Sequence, residues 1–299
     1  MCTVRLKKID IALPEIRKFF KSSARVFSLQ ELRGLLYGGK WDLPVKMTTE
    51  KFISILKGKR ILREVKLDFT PKVTCFTTQE ANIYDVAINL AKNMYFSHYT
   101  AVHLHQLTEQ IPKTIYVSKE FTPNGGYNIS SDEGREELTQ EAVDSAMQKE
   151  PRVTKKRAKF KKQEIIFLNS KYTGDSGISE INFNDTDYRV TSLERTLLDV
   201  AMRPYYCGGI SEVMSCFSAA HNKININKII SLLVELDYIY PYHQLLGFYF
   251  SRTGLYSRGT LDRLKRLGLD YDFYLCHGFK KKDLSYDNEW KLFYPDWLI

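Results

Sequence analysis

Three apolar stripes at helical spacing, followed by two β-type runs, occupy residues 13–77 and constrain the fold more than any other stretch of the chain. Leu13, Ile16, Phe19 and Phe20 recur at helical spacing behind Pro14, a favourable first-turn residue. Lys21 to Arg25 breaks the pattern. Ser28 followed by Glu31 is a capping-box start, and Leu29, Leu32, Leu35 and Leu36 give a second helix one apolar stripe that Gly38-Gly39 ends. After Trp41-Asp42-Leu43-Pro44, a third helix is predicted from Thr48 or Thr49, with Phe52, Ile53 and Leu56 inside and Gly58 as its stop. Ile61, Arg63, Val65 and Leu67 then alternate against Leu62, Glu64, Lys66 and Asp68, the period of a strand. A Thr70-Pro71 turn and a second β-rich run, Val73 to Thr77, complete a hairpin. Three short helices and a hairpin are the order of a winged helix-turn-helix, predicted over residues 1–78.

The same stretch holds the chain's net positive charge. Residues 1–78 carry 17 Lys and Arg against 7 Asp and Glu, a balance of +10, whereas the 299-residue chain totals +9 and residues 79–299 sum to −1. A basic head on a near-neutral body is the electrostatic footprint of a nucleic-acid-binding module. In a winged helix the third helix enters the major groove with its N-terminal residues facing base edges. Lys46, Thr48, Thr49, Lys51 and Ser54 are the candidates on its outward side, and Lys57, Lys59, Arg60, Arg63, Lys66 and Lys72 are candidates for phosphate contact around the helix end and hairpin. Double-stranded DNA is favoured over RNA, whose readers usually present aromatic stacking platforms. The same charge also suits a protein-docking module or an acidic membrane surface.

The remainder, residues 79–299, is predicted to be a mixed α/β domain, with a possible helical sub-unit over 192–299. Apolar residues make up 43 % of the chain and aromatics 13 %, enough for packed cores in two or three domains. No window nears 18 uninterrupted apolar residues, and Met1 to Ile11 lacks the apolar run of a secretory signal. Five widely spaced cysteines without a CxxC pair suit buried free thiols in a reducing cytoplasm. From Gln79 the pattern is helix (81–91), strand (94–96), helix (100–107) and strand (114–117). A polar loop spans Thr122 to Arg135, a charged exposed helix or disordered excursion Glu133 to Lys149, and strands are expected at 165–168 and 181–190 around a Gly174/Gly177 turn. Helices dominate from Ser192 onward. Between the strands lies Arg152 to Lys162, where Arg152, Lys155, Lys156, Arg157, Lys159, Lys161 and Lys162 make seven basic residues in eleven. This run is either a second phosphate contact, through Lys155, Lys156, Arg157, Lys159, Lys161 and Lys162, or a solvated linker.

Two segments of the body are distinctive: Tyr95-Phe96-Ser97-His98-Tyr99-Thr100-Ala101-Val102-His103-Leu104-His105-Gln106-Leu107 with Ile115-Tyr116-Val117, and Val190-Thr191-Ser192-Leu193-Glu194-Arg195-Thr196-Leu197-Leu198-Asp199 with Arg203-Pro204 and Gly208-Gly209-Ile210-Ser211-Glu212-Val213. Together they resemble the body of the AbiEi family, the antitoxin and repressor halves of bacterial abortive-infection toxin–antitoxin operons. Trp41, Leu43-Pro44, Phe52-Ile53, Leu62, Val65 and Leu67 resemble that family's winged-helix core. The resemblance covers most of residues 10–240 and leaves 122–162 as a variable insert. It implies a repressor that binds inverted repeats in its own promoter and neutralises a nucleotidyltransferase-type toxin, with direct toxin contact left open.

Chemical alternatives for these motifs are weaker. His103 and His105 sit two apart, pointing about 200° away from each other on a helix, so one metal ion does not easily take both. His98, His103 and His105 are therefore expected to pack, cap or hydrogen-bond. Ser192-Leu193-Glu194-Arg195 reads as a capped helix start in which Asp199 can pair with Arg195. Gly208-Gly209 lacks the Lys-Ser/Thr of a phosphate loop and reads as a connector. Glu289-x-Lys291 behind Asp270 and Asp272 hints at a metal-dependent nuclease, but Glu64-x-Lys66 shows the same triplet by composition alone. Tyr238, Tyr240, Tyr242, Phe248, Tyr249 and Phe250 are expected to be mostly core. No cofactor, metal or catalytic residue is expected. The alternative reading is a nuclease or transferase that the winged helix targets to nucleic acid.

Overall fold

The computed structural model describes residues 8–121 and 137–298, and among them the chain is mixed α/β with eleven α-helices and three sheets. It divides into two compact units: the described residues up to Lys92 with Lys156–Ile165, and Asn93–Lys155 with the described residues from Ile166 onward. The first unit begins with α1 (Lys8–Ser22), β1 (Val26–Phe27), α2 (Leu29–Tyr37), α3 (Thr49–Gly58), β2 (Arg63–Leu67), β3 (Val73–Thr77) and α4 (Ile83–Ile88). Its sheet runs β1-β3-β2, antiparallel throughout, with Val65 opposite Cys75 and Val26 opposite Thr77.

Helix α1 starts well before Pro14, which lies inside it rather than in its first turn. Ile9, Ala12, Leu13, Ile16 and Phe20 are buried along one face, and that continuous stripe outweighs the one backbone bond that proline removes. The capping box of α2 forms as read, with Ser28 and Glu31 each accepting the other's backbone N–H, but Leu29 is exposed while Leu32 and Leu36 carry the core face. The Phe20, Phe27, Trp41 and Phe52 rings pack beside them. Strand β1 was not legible, because two residues show no period. The 78/79 boundary falls inside the first unit: Asp85 of α4 pairs with Arg25 at 3.5 Å, and Arg63 donates to the Ala81 carbonyl at 2.7 Å.

The second unit opens with β4 (Tyr95–Phe96), α5 (His98–Leu104), β5 (Thr114–Glu120) and α6 (Gln140–Met147). The expected loop at 122–135 lies outside the described residues. Of the charged stretch 133–149, only Gln140–Met147 is described as helix, and it buries Val143 and Met147 rather than standing wholly exposed. Next come β6 (Arg157–Phe160) and β7 (Gln163–Ser170); β6 and the start of β7 count with the first unit. The 181–190 region is a hairpin, β8 (Ile178–Phe183) and β9 (Thr186–Thr191), turned by Asn184 and Asp185 at φ 51° and 56°. Asn and Asp tolerate that left-handed conformation, as a tight hairpin turn requires. In the second unit the strands run β7-β5-β4-β9-β8, with β4 antiparallel to β5 and parallel to β9.

Helices α7 (Leu193–Met202), α8 (Ile210–Ala220), α9 (Ile226–Leu236), α10 (Tyr242–Thr253) and α11 (Arg258–Lys265) follow. The C-terminal part is not only helical: β10 (Phe273–Tyr274), β11 (Leu284–Asp287) and β12 (Leu292–Pro295) form a third sheet in the order β10-β12-β11. Phe217, Phe248, Tyr249, Phe250, Phe273 and Trp290 are fully buried in the large core of this unit, and Tyr238, Tyr240 and Tyr242 pack on it. Cys75, Cys207 and Cys216 are buried free thiols, as expected, and Cys276 is half-buried. No helix of the described residues is long and apolar enough to cross a membrane.

Candidate nucleic-acid interface

Helix α3 owes its start to Thr48, whose hydroxyl accepts the backbone N–H of Lys51 at 3.3 Å. That bond satisfies one of the four donors a helix N-terminus leaves free. Lys46, Thr48, Lys51 and Ser54 are exposed around this end. Thr49 is not: it is 8 % exposed, because residues 49, 52, 53 and 56 share the face that Phe52, Ile53 and Leu56 bury. Thr49 is therefore a core-facing residue and leaves the set of outward contacts.

At the far end of α3 the cations divide into two kinds. Lys57 and Lys66 both bind Glu64, Lys66 at 3.4 Å, and the Lys57 hydrogen bond holds the Glu64 carboxyl below the usual carboxylate range. Arg63 is half-buried and turned onto the fold, with Nε donating to Thr77 Oγ1 at 2.9 Å and Nη2 to the Ala81 carbonyl. Lys59, Arg60 and Lys72 are exposed. It is Arg60, at φ 54°, rather than Gly58, that takes the left-handed conformation reversing the chain after α3. Two further cations escaped the sequence reading. Arg17 and Lys21, one helical turn apart on the exposed side of α1, line an open cavity together with Arg60.

The second half of the basic run 152–162 forms a strand and the turn that follows it. Along β6 the exposed Arg157 and Lys159 alternate with the buried Ala158 and Phe160, and Lys161 at φ 56° turns the chain into β7. Arg157 meets Glu164 at 3.7 Å across this hairpin. The Lys159 backbone N–H donates to Asp68 Oδ1 in the β2–β3 connection at 2.9 Å. Lys156, Arg157, Lys159, Lys161 and Lys162 thus belong to the first unit, whereas Arg152 and Lys155 belong to the second. A solvated linker does not describe the 157–162 part.

The motifs of the body are occupied by structural bonds. His98 is buried, its Nδ1 lies 2.9 Å from Ser97 Oγ, and burial pushes its pKa down to about 4. His105 Nε2 lies 2.7 Å from the Thr191 carbonyl, and His103 packs edge-on against Phe183. Ser192 caps α7, Glu194 accepts the Asn225 backbone N–H at 3.1 Å, and Arg195 pairs with Asp199 at 2.8 Å as the spacing predicts. Gly209, at φ 101°, precedes α8 as its N-cap. Glu289 binds Lys265 at 2.8 Å, Asp272 accepts the Tyr286 hydroxyl, and no group of three metal-ligating side chains comes together among the described residues.

No protein-family model matches the chain, and no curated protein matches it. The chain is similar in fold to the Rv2827c protein from Mycobacterium tuberculosis, known from a crystal structure. The TM-score is 0.56 at 11 % identity, over 94 % of this chain and 90 % of that one. At that identity the likeness is one of fold alone.

Proposed function

We propose that the first unit is a winged helix-turn-helix that binds double-stranded DNA, and that the protein is a repressor and antitoxin of the AbiEi type. The observation carrying the DNA reading is the capped start of α3, where Lys46, Thr48, Lys51 and Ser54 stand exposed beside a strongly basic surface of the same unit. Helix α3 lies in the major groove, and Lys59, Lys72 and the 157–162 hairpin hold neighbouring phosphates. Inverted repeats in the protein's own promoter are met by two copies. Repression and neutralisation of a nucleotidyltransferase-type toxin rest on the sequence resemblance.

Charge reversal of Lys46 and Lys51 together tests this placement, since neither makes an ion pair in the fold among the described residues. The K46E/K51E protein is expected to keep its circular dichroism and melting temperature while losing promoter binding in a gel shift. Wild-type binding falls steeply with salt, at about 0.9 logarithmic units per phosphate contact per decade. Unchanged promoter affinity in the folded variant overturns the assignment of α3. Co-expression with the toxin encoded beside it separates the two halves, because K46E/K51E is expected to retain protection.

A further inference from the structure

The last two turns of α1, the corner after α3 and the chain leaving β3 surround an open cavity of about 220 Å³ within the first unit. At ~30 Å³ per water this is room for about seven waters, enough for a partly hydrated phosphate. Three cations line it: Arg17 and Lys21 from α1, and Arg60 from the corner. None of the three forms an ion pair within the fold among the described residues, and Glu80 on the same wall offsets one of their charges. Three cations against one carboxylate leave a surplus of positive charge whose mutual repulsion a bound anion relieves.

The cavity is held by the fold rather than by chance side-chain positions. Arg17 Nη2 donates to the Lys59 carbonyl at 3.0 Å, fixing one edge of the guanidinium and leaving its other N–H groups available. Gln79 Nε2 donates to the Arg60 carbonyl at 3.3 Å, tying the β3 exit to the same corner. Arg60 occupies a backbone conformation, φ 54°, that glycine or asparagine adopts at lower cost. Thr78, part of the same wall, is 3 % exposed, and its hydroxyl has no hydrogen-bond partner. A buried hydroxyl left unanswered is uncommon in a finished fold.

We propose that this cavity is a phosphate-binding site, with Arg17, Lys21 and Arg60 supplying charge-assisted donors to the phosphate oxygens. The phosphate belongs either to a small phosphorylated molecule or to a nucleic-acid backbone. The site does not depend on α3 being the helix that reads bases.

Titration of the full chain with inorganic pyrophosphate at low ionic strength tests it, with anisotropy of a labelled duplex measured in parallel. Saturable pyrophosphate binding is expected, weakened at least tenfold in R17Q/K21Q, with K46E/K51E binding as the wild type does. K21Q alone, which disturbs no bond of the fold, provides the readout should R17Q/K21Q fail to fold. Pyrophosphate binding that leaves duplex affinity unchanged identifies a free phosphorylated ligand. Duplex affinity and salt slope that fall in the variants, with or without pyrophosphate competition, identify a backbone phosphate. Pyrophosphate binding indifferent to R17Q/K21Q and K21Q overturns the site, as does absence of binding together with unchanged duplex affinity in these variants.

Discussion

Gly247 of α10 packs so tightly beneath the indole of Trp290 that a Cβ at that position would lie 2.0 Å from the ring carbon Cζ3. Trp290 is fully buried, its Nε1 donates to Ser251 Oγ at 3.1 Å, and its carbonyl accepts Gln244 Nε2 at 2.7 Å. The indole N–H and the residue's backbone are therefore each held by α10, which resists retreat of the ring. Gly247→Ala is expected to destabilise the protein by about 3 kcal/mol, the upper range for overpacking a core. Urea unfolding checks this through a lowered midpoint at unchanged slope. A wild-type midpoint would show that the indole is free to shift.

Arg195 and Asp199 form a charge pair that is almost sealed from water, at 4 % and 8 % side-chain exposure. Arg195 also donates to the Ser176 carbonyl at 2.9 Å, so the guanidinium joins α7 to the loop before β8. Truncating one partner leaves the other charged and buried, which costs about 3–5 kcal/mol. Asp199→Ala is expected to lose that much in chemical denaturation, while R195M/D199L loses less than the single change. A double variant as unstable as the sum of two singles would contradict the coupling.

Local patterns reached the sequence reading where one element's own residues decide the outcome. The Ser28/Glu31 box, the Phe52-Ile53-Leu56 face and the Arg195/Asp199 spacing are each set within one or two helical turns. What escaped depends on partners far along the chain. Strand β1 exists only because β3 pairs with it, and the β10-β12-β11 sheet joins residues near 273 to others near 292. The candidate interface followed the same rule. Exposure of Lys51 and Ser54 followed from helix phase, and so does the burial of Thr49 once Phe52 and Ile53 fix that phase. That Lys57 and Lys66 converge on Glu64, or that Arg17 stands beside Arg60, is tertiary information without a periodic signature.

His98 makes stability depend on pH. Burial favours its neutral form and lowers its pKa from 6.5 to about 4, with the nearby Asp199 opposing the shift and Arg203 and Arg195 adding to it. A histidine whose folded pKa lies below the unfolded value binds protons preferentially when unfolded. Its contribution is therefore complete above pH 6.5 and is lost as pH falls from 6.5 towards 4. At 1.36 kcal/mol per unit the loss reaches about 3 kcal/mol at the acid limit. Burial also lowers His103, His105, His243 and His277, so the wild type is expected to weaken below pH 6.5 by more than one histidine's share. His98→Asn, which tolerates the φ of 50° at this position, is expected to flatten the stability slope between pH 6.5 and 4.5 in urea titrations. Parallel slopes for variant and wild type would remove His98 as a source.

Glu64 sits between Lys57 and Lys66 on the surface proposed to face DNA, and it neutralises charge that counterion release would otherwise use. Glu64→Gln removes the carboxylate without changing the side chain's length. The pair is largely solvent-screened, so its loss is expected to leave folding stability within about 0.5 kcal/mol. Duplex binding is expected to tighten severalfold at 50 mM salt, and the salt slope to steepen by about one contact. The gain should be equal for operator and random duplexes, because phosphate contacts carry no base information. Weaker or unchanged binding in E64Q would place the β2–β3 hairpin away from the duplex. A gain confined to the operator would mean that Glu64 reads bases rather than tempering the phosphate field.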